Sequence, residues 1–138
     1  MSIRDSAAAE PLLVSILAQG PYLIASIHTA LDDDQLERFQ RNLIDQIGER
    51  RARGVIIDVA ALDVLDSFGS RTLRDLGQVA RLRGAETVVV GIQPEVAFAM
   101  VRFGITLDSM HTALDLEEGL ALLDLRTRPA TATRRHTD

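Results

Sequence analysis

One run of residues limits what this chain can become: Gly54–Val55–Ile56–Ile57–Asp58–Val59 is apolar at nearly every position. A strand solvated on one face alternates apolar and polar residues, whereas an unbroken apolar run reads as a central strand buried on both faces. The flanking segments change period. Before it, Leu36, Phe39, Leu43 and Ile47 recur on one helical face behind Asp32 and Gln35, which are spaced as a capping box. After it, a helical pattern runs from about Ser67 to Arg83, with Leu73, Leu76, Val79 or Ala80 and Leu82 inward and Gly84 as the stop. Strand–helix–strand order needs crossover connections, so a largely parallel sheet is expected.

The remaining segments extend this α/β pattern. Leu12–Ala18 and Tyr22–Ile27 are apolar runs separated by Gly20–Pro21, a hairpin signal that makes the sheet mixed. Glu86–Val90 reads as another buried strand. Pro94 then opens a short helix through Phe103, with Val96, Met100 and Phe103 inward and Gly104 as its cap. Ile105–Leu107 is expected as a last short strand, and His111 in a loop. Asp115 with Glu118 makes a second capping box before Leu116, Leu120 and Leu123. The chain thus divides into a flexible N-terminus at 1–10, one folded domain over 11–125, and a disordered Arg-rich tail over 126–138.

Composition removes several function classes. With 138 residues and no Cys, the chain can bury one core without disulfides, and thiolate or cysteine–zinc chemistry is excluded. The net charge of −5 divides unevenly: the tail from Arg126 holds four Arg and one Asp, and the rest has eleven Arg against nineteen acids. An acidic body argues against nucleic acid as a partner. No apolar run reaches the length of a membrane span or signal peptide, so no membrane role and a cytoplasmic location are expected. All basic residues are Arg, which removes lysine-based catalysis.

In open α/β sheets function gathers at the carboxyl ends of the strands, beside helix N-termini, and Ser67 falls there. Its hydroxyl can cap the helix, act as a nucleophile, or accept a phosphate that the helix dipole favours. A nucleophile elbow would need glycine where Leu65 stands, and a triad would need His28, His111 or His136 beside the serine, although each reads as a surface or structural residue. No Gly-rich dinucleotide turn or Walker lysine is present. Asp32–Asp33–Asp34 reads as a cap with dipole-favoured charge rather than a metal site. No catalytic residue, metal or cofactor is therefore expected. Ser67 is left as a cap or as a modified residue. A phosphate there would sit beside Asp66 and Asp63, with Arg71 and Arg74 to offset part of its charge.

Asp66–Ser67–Phe68 after a V-I-I-D strand resembles the regulatory serine site of STAS domains, the anti-sigma-factor-antagonist family. Val88–Val89–Val90–Gly91–Ile92–Gln93–Pro94–Glu95–Val96–Ala97, Phe103–Gly104–Ile105 and Thr112–Ala113–Leu114–Asp115–Leu116–Glu117–Glu118 are similar to the stressosome branch, especially its small RsbS-type scaffold. The resemblance covers roughly residues 10–124 and implies a sheet with helices largely on one face and no enzymatic activity. It implies that Ser67 is phosphorylated by a GHKL-type switch serine kinase and dephosphorylated by a PP2C-type phosphatase. The unphosphorylated scaffold would hold the kinase, and phosphorylation would release it toward a sigma-factor stress pathway. Sensory (RsbR-type) STAS paralogues would co-assemble with it as a homo- or hetero-oligomer. The kinase-docking surface would take in Asp63, Asp66, Phe68, Gly69, Ser70, Arg71 and Arg74. Gly69 departs from the pattern and is expected to loosen the first helical turn, and Ser70 adds a second hydroxyl. An anti-anti-sigma factor that binds an anti-sigma kinase directly, or a small-ligand or nucleotide-binding STAS module, are the alternatives.

Overall fold

The computed structural model describes residues 13–128; residues 1–12, which include the expected N-terminal segment and the start of the first apolar run at Leu12, and the tail from 129 lie outside it. Strands β1 (Val14–Gln19) and β2 (Tyr22–Ile27) form an antiparallel hairpin, closed at Gly20 with φ of 59°. Then follow α1 (Asp33–Arg50), β3 (Gly54–Asp58), α2 (Ser67–Leu82), β4 (Glu86–Val90), α3 (Pro94–Arg102), β5 (His111–Ala113) and α4 (Leu116–Arg126). The five strands lie side by side in sequence order, and β2 through β5 are parallel.

That order dictates the layering. When parallel strands are laid down one after another, right-handed crossovers deliver successive helices to the same face. Leu23, Ala25, Ile27, Val55, Ile57 and Val89 accordingly pack on that face against Phe39, Leu43 and Ile47 of α1 and Leu73, Leu76 and Ala80 of α2. The helix that follows the last strand has no further strand to reach, so α4 is free to close the other face. There Leu123 packs on Tyr22, Ile24, Ile56, Val88 and Val90. Gly119 permits this approach: a Cβ on it would lie 2.8 Å from Val90 Cγ1 and 3.3 Å from Ile56 Cδ1. The expected mixed sheet with helices largely on one face is the observed fold, and β3 is buried on both faces as its sequence requires.

The Asp32–Gln35 capping box forms in both directions, and Leu36, Phe39, Leu43 and Ile47 are all buried. Asp115 accepts from the Glu118 N–H at 2.9 Å, but the Glu118 carboxylate accepts from Leu114 N rather than from the cap residue, so only half of the second box forms.

Four expectations are corrected. Leu82 is 87% exposed; at about 100° per residue it stands on the far side of α2 from Ala80. Phe103 is exposed because α3 ends at Arg102 and Phe103 is its C-cap. Residues 105–107 form no strand: Gly104, at φ of 68°, turns the chain so that the Ile105 N–H bonds Met100 O and its side chain folds back on Val96 and Met100. The last strand is instead His111–Ala113, which places His111 in the ladder opposite Val88.

Helix α4 also runs past the boundary expected at 125. Its end is tied down: Tyr22 OH donates to Asp124 Oδ1 at 2.6 Å and lies 3.0 Å from Thr127 Oγ1, which itself donates to Leu123 O. Burial, and then the Asp124 carboxylate, push the Tyr22 hydroxyl pKa up. Among the described residues no helix is long and apolar enough to cross a membrane.

Candidate functional site

The site is built where β3 runs out. Asp58 Oδ1 accepts from Ala60 N at 2.9 Å and turns the chain out of the sheet, while Val59 and Leu62 stay buried and anchor the loop that follows. Leu65 packs against both the main core and the α3 cluster. Asp66 then takes the N-cap position in extended geometry, with its carboxylate accepting from Gly69 N at 2.7 Å. The cap is therefore Asp66 and not Ser67. Ser67 is the first helical residue, where the backbone N–H groups have no intrahelical acceptor. Its side chain is half-buried, and its hydroxyl makes no hydrogen bond among the described residues.

Gly69 does not loosen this turn; it lets the cap close. A Cβ there would meet Leu65 Cδ1 at 2.8 Å and Asp66 Oδ1 at 3.2 Å, displacing the carboxylate that caps the helix. Gly69 and Ser70 are buried, so neither contributes to a surface a partner can touch. Ser70 Oγ is wholly buried without a hydrogen-bond partner. The accessible rim consists of Asp63, Asp66 and Arg71, which are exposed, with Ser67, Phe68 and Arg74 half-buried.

The basic residues differ in availability. Arg74 leans on Asp75, Nη2 to Oδ1 at 3.5 Å. Arg71 is exposed and forms no ion pair among the described residues. It stands four residues after Ser67, the spacing that places two side chains on one helical face.

Two residues that pattern reading left without a role hold the loop in place. Gly91, at φ of 79°, ends β4; a Cβ on it would stand 2.8 Å from Ala60 Cβ, so the two loops touch here. Gln93 Nε2 donates to Ala60 O at 2.7 Å. A glycine immediately after a buried strand at the carboxyl end was the available signal. That it faces the Ser67 loop follows only from β3 pairing with β4.

Among the described residues no group of three or more His, Asp or Glu is placed to hold a metal ion. The His28 ring is engaged with Ser15 Oγ at 3.1 Å, and His111 sits at the opposite end of the sheet with Glu86 and Arg126. The cavity beside the site, between Leu36, Leu62, Leu65, Asp66 and Leu73, holds about 80 Å³. Small-molecule pockets usually need roughly 300 Å³ or more, so a nucleotide does not fit there.

The fold recurs in known proteins. The chain superposes on a serine-to-glutamate variant of RsbS from Moorella thermoacetica with a TM-score of 0.75 and 34% identity, covering 84% of this chain and 98% of that one. A chain from the solved molecular architecture of the stressosome, a signal integration and transduction hub, matches with a TM-score of 0.73 and 35% identity over 83% of this chain and all of that one. The RsbT co-antagonist protein RsbRA of Bacillus subtilis is 29% identical over 90 residues, which is 65% of this chain but only 33% of RsbRA. The chain thus spans about a third of that relative's length. The family signature of the STAS domain matches residues 14–119, from the first strand into α4, and the chain belongs to the STAS domain family.

Proposed function

We propose that this protein is a non-enzymatic, phosphorylation-gated scaffold and antagonist in a stressosome-like assembly. Ser67 carries the reading: a serine with an unengaged hydroxyl at the first position of α2, whose cap is already supplied by Asp66. Because the cap does not use the hydroxyl, adding a phosphate removes no structural contact. The group would add about −1.5 to −2 charges. The helix N-terminus and Arg71 favour that charge, and Asp66 and Asp63 oppose it, so the fold is retained. A partner docked over the same rim meets new repulsion and a desolvation penalty. A GHKL-type switch serine kinase is held by the unmodified rim and released once Ser67 is phosphorylated; a PP2C-type phosphatase resets it. The likeness to RsbS, to a stressosome chain and to the longer RsbRA supports co-assembly with sensory STAS paralogues and control of a sigma-factor stress pathway.

The test is to incubate the full chain with the switch kinase and ATP and map the phosphate by mass spectrometry. One phosphate on Ser67, absent in Ser67→Ala, is expected, and Ser67→Asp should retain less kinase than wild type in a pull-down. Modification solely at another residue, Ser70 included, overturns the assignment. A small complex with the kinase and no assembly with a paralogue would make the protein a direct antagonist instead.

A further inference from the structure

Helices α1, α2 and α4 each begin just past the carboxyl end of a strand and finish at the amino end of the sheet, where Arg50 borders the hairpin turn, α2 leads into β4 and Asp124 meets Tyr22. The charges are sorted along that axis. Asp33, Asp34, Glu117 and Glu118 occupy first helical turns, and Asp63 and Asp66 lie in the loop before α2. The amino end carries Arg50, Arg51, Arg53, Arg81, Arg83 and Arg126, all exposed.

The sheet register gathers these arginines. Arg53 N donates to Pro21 O at 2.9 Å and Arg53 O accepts from Glu86 N at 3.0 Å, so Arg53 lies between the hairpin turn and the start of β4. Arg50 borders the same hairpin turn, Arg83 reaches over Gly48 of α1, and Arg126 donates to the His111 ring. The salt bridges of the described residues are Arg74–Asp75 and His111–Glu86, so none of the six pairs with a carboxylate among the described residues.

Local helix electrostatics accounts for acids at helix starts and Arg at helix ends, yet it does not neutralise them. The N-termini of these three helices supply about +1.5 in all and Arg71 one charge more, too little for the six carboxylates named at that end. At the amino end Glu49, Glu86 and Asp124 offset three guanidinium groups, and helix C-termini about −0.5 each, which leaves that end positive.

We propose that the arginine face at the amino end of the sheet docks the acidic carboxyl end of a second copy of this chain, giving a head-to-tail contact. The two surfaces differ, so the contact is heterologous and leaves one free end of each sign, which allows growth beyond a pair. A nucleic acid is the poorer occupant because the whole chain carries −5, whereas a second copy brings the matching acids itself. The acidic end includes the rim around Ser67, so a second copy and the kinase would compete for it and a phosphate would add to its charge; the inference is therefore tested on the unmodified chain without the kinase.

Sedimentation velocity of the full chain tests it. Wild type should form concentration-dependent faster species at low salt that disappear at high salt, where screening shortens to a few ångströms. Reversing the basic face (Arg50→Glu, Arg53→Glu, Arg81→Glu) should leave a monomer, since both ends are then acidic, and reversing three acids at the other end (Asp33→Lys, Asp63→Lys, Glu117→Lys) should strongly weaken association, since it removes most of the negative excess there. An equimolar mixture of the two should associate again at low salt. Wild type that stays monomeric at low salt, salt-insensitive association, or a mixture that does not associate overturns the proposal. If circular dichroism shows that a reversed chain has not folded, Arg→Gln at the same three positions replaces it; unchanged association would then be the overturning result.

Discussion

The two ends of the sheet use the same backbone for opposite purposes. At the amino end the turns are held by contacts that link distant elements: Tyr22 to Asp124 and Thr127, Arg53 between Pro21 and Glu86, His111 to Arg126. At the carboxyl end the loop before α2 is held from behind, by Leu62 and Leu65 in the core and by Gly91 and Gln93 against Ala60, while its front face stays free. A rigid back and an unengaged front present a serine in fixed geometry without using its hydroxyl. Ser67 and Ser70 show the contrast within one helical turn: one accessible and unbonded, the other buried and equally unbonded.

The largest effect should come from the buttress. Gly91→Val places a branched side chain at positive φ against Ala60 and should cost about 3 kcal/mol. Denaturant unfolding would read that loss, and phosphorylation at Ser67 should fall in step as the loop shifts. At the amino end, Tyr22→Phe removes the donor to Asp124 and should cost about 1.5 kcal/mol. It also carries a pH signature. Because the folded state raises the Tyr22 pKa, the stabilisation from that group is fully present below the unfolded value of about 10 and is lost as pH rises through the folded value. The Phe variant should lack that tyrosine-linked share of the alkaline decline in thermal stability.

Smaller changes separate the capping residue from the serines. Asp66→Ala should lower stability by about 1 kcal/mol through the lost cap. Ser70→Ala should be neutral or stabilising by up to about 1 kcal/mol, since it deletes a buried hydroxyl that has no partner. Ser67→Ala should change stability by less than about 0.5 kcal/mol while abolishing the modification. A loss above that value on thermal unfolding would mean that the Ser67 hydroxyl has a structural contact after all.

Much of the fold was legible because its signals are local and periodic. The β3 run, the α1 face and the Asp32 capping box depend on neighbours within a few residues, and the structure contains all three as expected. The misreadings occurred where local periodicity continues past the point at which the chain leaves helical geometry, as at Leu82 and Phe103. Gly104 redirected Ile105 into the α3 cluster, where its side chain is of more use than in a ladder. At the site, Asp66 and Ser67 are both good capping residues, and adjacent positions compete for one role. Only the backbone geometry assigned it to Asp66.

By itself the sequence determined the α/β order, the buried central strand, and a serine at the head of α2, because hydrophobic period and capping chemistry are written over short spans. Only the tertiary structure decided that Ser67 is left unengaged while Ser70 is sealed in the core. It also decided that Gly91 holds the loop, and that acids and arginines from separate segments gather at opposite ends. Those outcomes depend on strand register and on which elements meet across the sheet, long-range pairings that no local pattern encodes.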